Sequence, residues 1–411
     1  MNKKTISKYA QFCAMKTMNE LKASPMLYLS GGSKELFHSN FLYWLGVNYR
    51  DSFQELMTKM CCINAPWPEG WAVKREYRHL DLCITYKKET GITRKKKTVS
   101  EECAFIIVEN KVKSLPDLIQ LRRYEKVYEG HDDGCTYAVL SLIKDFPGQK
   151  FMNEDTRWQL HHYDELAKFI RECCPDDVIL TEHRLYIHDY CQFVENLSKL
   201  AEGWIIEEQL SFLSPCENLH ELRLNDIYEK VRYAQTAALL AERLKPILDN
   251  MDSEEEKVVL GMSNTDVILR RGREDADEIL AFYSCPQAKP FGQVFISNGM
   301  SHGVGLVEAK IKITEDCCLV IQVQGNHYCH AIERENIFEK TGKLSMLQIL
   351  FMNFGIGGLK DKLAEADSEI CHYKTDFVYR WQKILPSHTV ADIIDAMSTD
   401  IMEIMYRRES V

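Results

Sequence analysis

Apolar positions along the chain recur first with a helical period. From Glu35 onward, Leu36, Phe37, Leu42, Trp44, Leu45 and Val47 supply an apolar side, while Glu35, His38 and Ser39, three and four apart, share another face. A break at Ser30-Gly31-Gly32 separates this helix from an earlier one, and Ser33 is its expected cap. The next helix is expected from Asp51 to Cys62, and Ile63 to Gly70, with two prolines and a glycine, ends it. Period two then takes over. Ala72 to Tyr77, Leu80 to Tyr86 and the strongly apolar Cys103 to Glu109 are predicted strands, and Lys87 to Glu102 an exposed hairpin extension. Ser114 and Pro116 open a helix carrying Leu118, Leu121, Tyr124 and Tyr128, Gly134 closes the connection, Thr136 to Ile143 is a fourth strand and Asp164 to Cys173 a helix. Strand, helix, strand in this order predicts an α/β fold with a mixed four-stranded core sheet flanked by helices.

Helical patterns continue from Val178 to Leu200 and from Leu219 to Leu248, with Asp252 to Glu256 a solvated turn. Alternation resumes between Lys257 and Gly325, as in GVGLVEAKIKI and CCLVIQVQG, which predicts an antiparallel sheet in a second α+β domain. The boundary is placed near Gly203, giving domains 1–203 and 204–411. A chain of 411 residues is longer than one hydrophobic core supports, which agrees with two domains. No apolar run is long enough to span a membrane, and the N-terminal residues lack the apolar stretch of a secretion signal, so a cytoplasmic location is expected.

The fifteen cysteines are scattered, odd in number and partly adjacent, and none forms a CxxC, so they read as reduced core thiols. His327, Cys329 and His330 read as packing residues of a strand end. A formal charge of −10 argues against a protein that coats nucleic acid. It leaves a nuclease open, because metal-binding carboxylates are themselves negative and a basic groove can be local. Arg94, Lys95, Lys96 and Lys97 are either a solvated loop or an arm that contacts phosphate.

The chemistry concentrates in His79-Leu80-Asp81-Leu82 and Val108-Glu109-Asn110-Lys111. In a strand, Glu109 and Lys111 project to one face and Asn110 to the other, just where the apolar run CAFIIV ends. If the strand that Asp81 opens pairs with this one, Asp81 and Glu109 can converge on one cation. Hard divalent ions such as magnesium take oxygen ligands of this kind and keep several waters. Lys111 beside such an ion would position or deprotonate the attacking water and offset charge on a phosphate. Arg75 and Arg78 flank the site, one of them a candidate phosphate contact, while Glu76 reads as a strand-surface residue.

Carried by KELFHSNFLYWL, HLDLCI, FIIVENK and QLRRY, residues 30–175 resemble the PD-(D/E)XK nuclease superfamily. ENK stands for the (D/E)XK element, and Asp81 for the first acidic position, although Leu80 replaces the proline of the motif's name. The resemblance implies a restriction-endonuclease-like core, Asp81 and Glu109 as metal ligands and Lys111 as the catalytic lysine. It also implies that Glu35, on the first helix, is an extra ligand. His38 and Ser39 would contact phosphate or support Glu35, and capping or packing is the alternative. Gln120 and Tyr124 match a helical Q-x-x-x-Y pattern, with Gln120 orienting substrate or water and Tyr124 packed beneath it. Magnesium or manganese is the implied cofactor and nucleic acid, DNA foremost, the implied partner; defence against foreign DNA is a setting suggested by analogy. A catalytically silent nucleic-acid-binding or scaffold protein, and a toxin or effector restrained by its C-terminal domain, are the alternatives. A homodimer is left open.

Overall fold

In the computed structural model all residues are described except 1–14, 32–33, 93–97, 117, 129–133, 145, 147–155, 205, 214–216, 249–257, 261–293, 302–303, 315–316, 335–370, 374–376 and 408–411. Ser33, the basic run 94–97 and the segment 252–256 therefore lie outside the described residues. The chain divides into two compact units, Met1–Trp204 with Glu217–Tyr228, and Ile205–Cys216 with Glu229–Val411. The sequence placed a boundary near Gly203 but gave no sign that 217–228 returns to the first unit. Among the described residues no helix is long and apolar enough to cross a membrane.

The first unit is built on a five-stranded sheet of order β1-β2-β3-β4-β5. Its strands are β1 (Ala72–Tyr77), β2 (Leu80–Ile92), β3 (Thr98–Lys111), β4 (Thr136–Ser141) and β5 (Trp158–His162). β1, β2 and β3 form an antiparallel meander, and β3/β4 and β4/β5 pair in parallel, so the sheet is mixed. Five strands replace the expected four. β5 is five residues long at the sheet edge, with only Trp158 buried, so no apolar run announces it. β2 and β3 also run further into their hairpin than the alternation suggested, pairing out to Ile92 opposite Thr98.

Consecutive residues Leu82, Cys83 and Ile84, and Ile106, Ile107 and Val108, are all fully buried, so both faces of the meander are covered. Each such side chain contributes about 1.5–3 kcal/mol of hydrophobic stabilisation. Helices α1 (Glu35–Asn48) and α2 (Arg50–Met60) precede the sheet, α3 (Leu118–Tyr128) connects β3 to β4, and α4 (Tyr163–Cys173) and α5 (Thr181–Ala201) follow β5. α1 buries His38, Ser39, Leu42, Leu45 and Gly46, a stripe at helical spacing. Gly46 lets it approach β1 closely, since a Cβ there would stand 2.6 Å from Val73 Cγ2. Lys34, extended and without a side-chain cap bond, precedes α1, so the first turn begins at the acidic Glu35, where a carboxylate suits the helix dipole.

The second unit carries a seven-stranded sheet of order β11-β12-β10-β9-β8-β7-β6. The strands are β6 (Val258–Leu260), β7 (Val294–Ser301), β8 (Val304–Thr314), β9 (Cys317–Gln324), β10 (His327–Arg334), β11 (Cys371–Tyr373) and β12 (Phe377–Lys383). The pairing is antiparallel, as the alternation predicted, except that β6 and β7 are parallel. One face packs on Tyr233, Ala237, Leu240 and Leu244 of helix α6 (Asn225–Leu248) and on Ile393, Ile394, Met397, Ile401 and Ile404 of α7 (Val390–Arg407). Tyr328 donates a 2.7 Å hydrogen bond to Asp400 Oδ2, which His330 Nε2 also meets, and His327 lies against Trp381 with ring centroids 4.2 Å apart. Adjacent side chains thus point to opposite faces of β10, so His327, Cys329 and His330 do not share one centre.

Candidate active site

The β2/β3 register pairs Leu82 with Val108, which brings Asp81 beside Glu109 at the ends of the two strands. Glu109 and Lys111 then emerge from one face of β3 and form a buried ion pair, Lys111 Nζ donating to Glu109 Oε1 at 2.9 Å. A second donation from Lys111 Nζ, 2.6 Å long, reaches Gln120 Oε1 on α3. Gln120 Nε2 donates to the Tyr124 hydroxyl at 3.0 Å, and that hydroxyl donates to the backbone carbonyl of His79 at 3.1 Å. The spacing of four on α3 thereby becomes a strut from the ammonium to the β1/β2 turn.

That turn is strained. Tyr77 pairs with Leu80, so Arg78 and His79 form a two-residue hairpin loop, and both have positive φ, at 52° and 70°. These are the signs of a type I′ turn, which Asn and Gly usually occupy. Glu76, with φ 49°, adds a third such residue in the stretch of four, 76–79, that precedes Leu80 and Asp81. Left-handed non-glycine residues cost energy and concentrate at functional sites.

The three carboxylates share a pattern. Glu35 Oε1 accepts from the Lys113 N–H at 3.3 Å and the Ser114 hydroxyl at 2.6 Å, Asp81 Oδ2 accepts from the Asn110 N–H at 2.7 Å, and Glu109 Oε1 takes Lys111. Each thus commits one oxygen to the protein and, among the described residues, keeps the other without a hydrogen-bond partner; the free Glu109 Oε2 is fully buried. Burial, opposed by Lys111 and helped by the Asp81 charge, lifts the Glu109 carboxyl to about 7. Burial also raises Asp81, opposed by the Asn110 N–H and Lys111 and reinforced by Glu35 and Glu76. For Lys111 burial favours the neutral amine, but Glu109, Glu35 and Asp81 together outweigh it and hold the ammonium.

A buried carboxylate oxygen with no donor is costly, and a cation or a proton relieves it. The donor set is therefore suited to a hard divalent ion, which one or two carboxylates can hold while waters and phosphate complete its shell. The resemblance implies Glu35 as a third ligand. Among the described residues no three His, Cys, Asp or Glu side chains are gathered closely enough to hold an ion. Asp81 and Glu109 stand side by side at the strand ends, whereas Glu35 is drawn to the Lys113 N–H and the Ser114 hydroxyl by hydrogen bonding.

Two further expectations are corrected. His38 is fully buried, its ring 4.8 Å from that of Tyr163 and stacked on Phe193, with Nδ1 3.1 Å from the Tyr190 hydroxyl, so it cannot reach a phosphate. Ser39 is buried too: its hydroxyl donates to the Glu35 backbone carbonyl at 3.2 Å and accepts from Asn110 Nδ2 at 2.8 Å. Arg75 is exposed, hydrogen-bonded to Asn40 Oδ1 and set over the Tyr43 ring at 5.5 Å; Arg78 is exposed over Tyr77. Charge and periodicity passed over Asn110, which is fully buried and joins Ser39, Tyr163 and Asp81. A polar residue at the end of an apolar strand, pointing into the core, needs partners, and that was the signal available.

Burial holds His38 neutral, its pKa down at about 3. The unfolded chain therefore takes up the proton first, and stability that is full above pH 6.5 falls as pH drops, by about 1.4 kcal/mol per unit. Glu109 has the opposite sign: its stability is full below its ordinary 4.5 and is lost as pH rises to about 7. The two slopes oppose one another between pH 4.5 and 6.5. Glu109→Gln is expected to expose the His38 slope in urea unfolding across that window, and Glu109→Gln with His38→Gln to flatten it. Parallel pH profiles for the two variants would refute this assignment.

Compared with models of protein families, with characterised proteins and with solved structures, the chain matches none.

Proposed function

We propose that this chain is a divalent-cation-dependent nuclease of the PD-(D/E)XK type, hydrolysing phosphodiester bonds, with DNA as its substrate and magnesium or manganese as its ion. The observation that supports the reading is the pair Asp81 and Glu109, each with one oxygen committed to the protein, beside the buried Lys111 ammonium at the ends of two paired strands. The ion, when bound, would lower the pKa of a water and neutralise charge on the leaving oxygen.

Asp81 and Glu109 would hold it through the oxygens they leave free. Lys111 spends two donors on Glu109 and Gln120, and its third N–H has no partner among the described residues. That N–H is available to the attacking water or to a phosphate oxygen as negative charge develops. Gln120 fixes the direction of the ammonium, and Tyr124 carries the strut on to the turn beside Asp81. Glu35 lends negative charge from the first turn of α1 and anchors the segment after β3.

The test is incubation of the full chain with single- and double-stranded DNA and RNA, with magnesium or manganese and with a chelator, beside Lys111→Ala. Cation-dependent cleavage lost in the variant supports the proposal. No cleavage of any substrate, or equal cleavage by the variant, overturns it and leaves a binding or scaffold role.

A further inference from the structure

We infer that Asn110, between the two residues that carry the chemistry, is the positioning residue that ties the elements of the site together. The inference rests on the nuclease reading above. Strand alternation turns Asn110 away from Glu109 and Lys111 into the core, where it is fully buried. A leucine would fill such a place, but it would leave two buried hydroxyls with fewer partners. Asn110 Nδ2 donates to Ser39 Oγ at 2.8 Å, its Oδ1 accepts from the Tyr163 hydroxyl at 2.9 Å, and its backbone N–H holds Asp81 Oδ2 at 2.7 Å.

Four elements therefore meet at one residue. Ser39 lies on α1 and passes the link to the Glu35 carbonyl, Tyr163 is the first residue of α4, Asp81 lies on β2, and Asn110 itself sits on β3. A shift of β3 against α1 would break the Asn110 hydrogen bond to Ser39 and move Glu35 relative to Glu109. A buried amide whose oxygen and nitrogen both have partners resists that shift, because any unpaired member carries its whole desolvation cost. Contacts of this supporting kind, when removed, typically cost 10- to 100-fold in metal affinity or activity.

The experiment uses the full chain and manganese as the probe. Ser39→Ala removes the link to α1, and Tyr163→Phe removes the link to α4 without adding volume. At a temperature where circular dichroism shows both folded, each is expected to weaken manganese binding about tenfold and to lower kcat about 10- to 100-fold, with KM for nucleic acid unchanged. Ile170→Val, a fully buried change on α4 outside the hydrogen-bonded set, is expected to lower the melting temperature and leave both quantities alone. Wild-type affinity and kcat in Ser39→Ala and Tyr163→Phe, or an equal loss in Ile170→Val, would overturn the positioning role and leave the nuclease reading standing. A wild-type protein that neither binds manganese nor cleaves would remove that reading, and this one with it.

Discussion

Lys111→Ala is expected to cut phosphodiester cleavage by about a thousandfold, while manganese still binds at pH 8. The size follows from losing one preorganised donor aimed at developing charge in a desolvated site, which costs about 10²–10³ in kcat, together with loss of the contact that orients the water. About 4 kcal/mol of transition-state stabilisation would disappear. Ion binding persists because Asp81 and Glu109 both remain, and alkaline pH together with the bound cation favours ionised Glu109 against burial and the loss of its partner. The same truncation removes the Lys111 end of the strut that runs through Gln120 to Tyr124 and the His79 carbonyl. Single-turnover rates and calorimetry on one preparation check both halves. A variant within a few-fold of wild type in rate would show that the ammonium is structural.

The second large effect concerns the extent of the first unit. A fragment ending at Gly203 is expected not to fold cooperatively, whereas one ending at Tyr228 should. Residues 217–228 pack with the first unit and bury Leu219, Leu222, Leu224 and Ile227 almost completely. At about 1.5–3 kcal/mol each, the four side chains represent up to about 6–12 kcal/mol, comparable with the whole stability of an ordinary domain. Polar links add to this. Lys113, next to the residues that hold Glu35, donates to the Arg223 carbonyl and lies 3.6 Å from Asp226. Thermal unfolding of the two fragments decides the matter, and equal midpoints would contradict it. Any comparison of the isolated first unit with the full chain, including a search for restraint by the C-terminal region, therefore needs the longer fragment.

These two cases show what could be seen in the sequence and what could not. β1 was legible to the residue, because alternation between a turn with two prolines and a glycine and a short hairpin marks both its ends. The approach of Asp81 to Glu109 was legible because period-two phase and an antiparallel meander leave few other registers. The return of 217–228 was not, since local pattern reports that a segment is amphipathic and says nothing of which core receives it. The Arg78-His79 turn was hidden for a different reason. Its backbone conformation is one that Asn and Gly announce, and here the surrounding pairing imposes it on residues that do not. His38 and Ser39 were placed correctly on the face of Glu35, yet a helical face does not say how deep it lies, and aromatic rings from α4 and α5 bury it.

The most direct measurement is anomalous diffraction from crystals soaked in manganese. The account expects one ion bound by Asp81 and by Glu109 Oε2, at about 2.0–2.3 Å as hard-cation ligation requires, with Lys111 still on Gln120. Crystals in which manganese is absent from these carboxylates, with Glu109 Oε2 still unpartnered or turned fully onto Lys111, would contradict it.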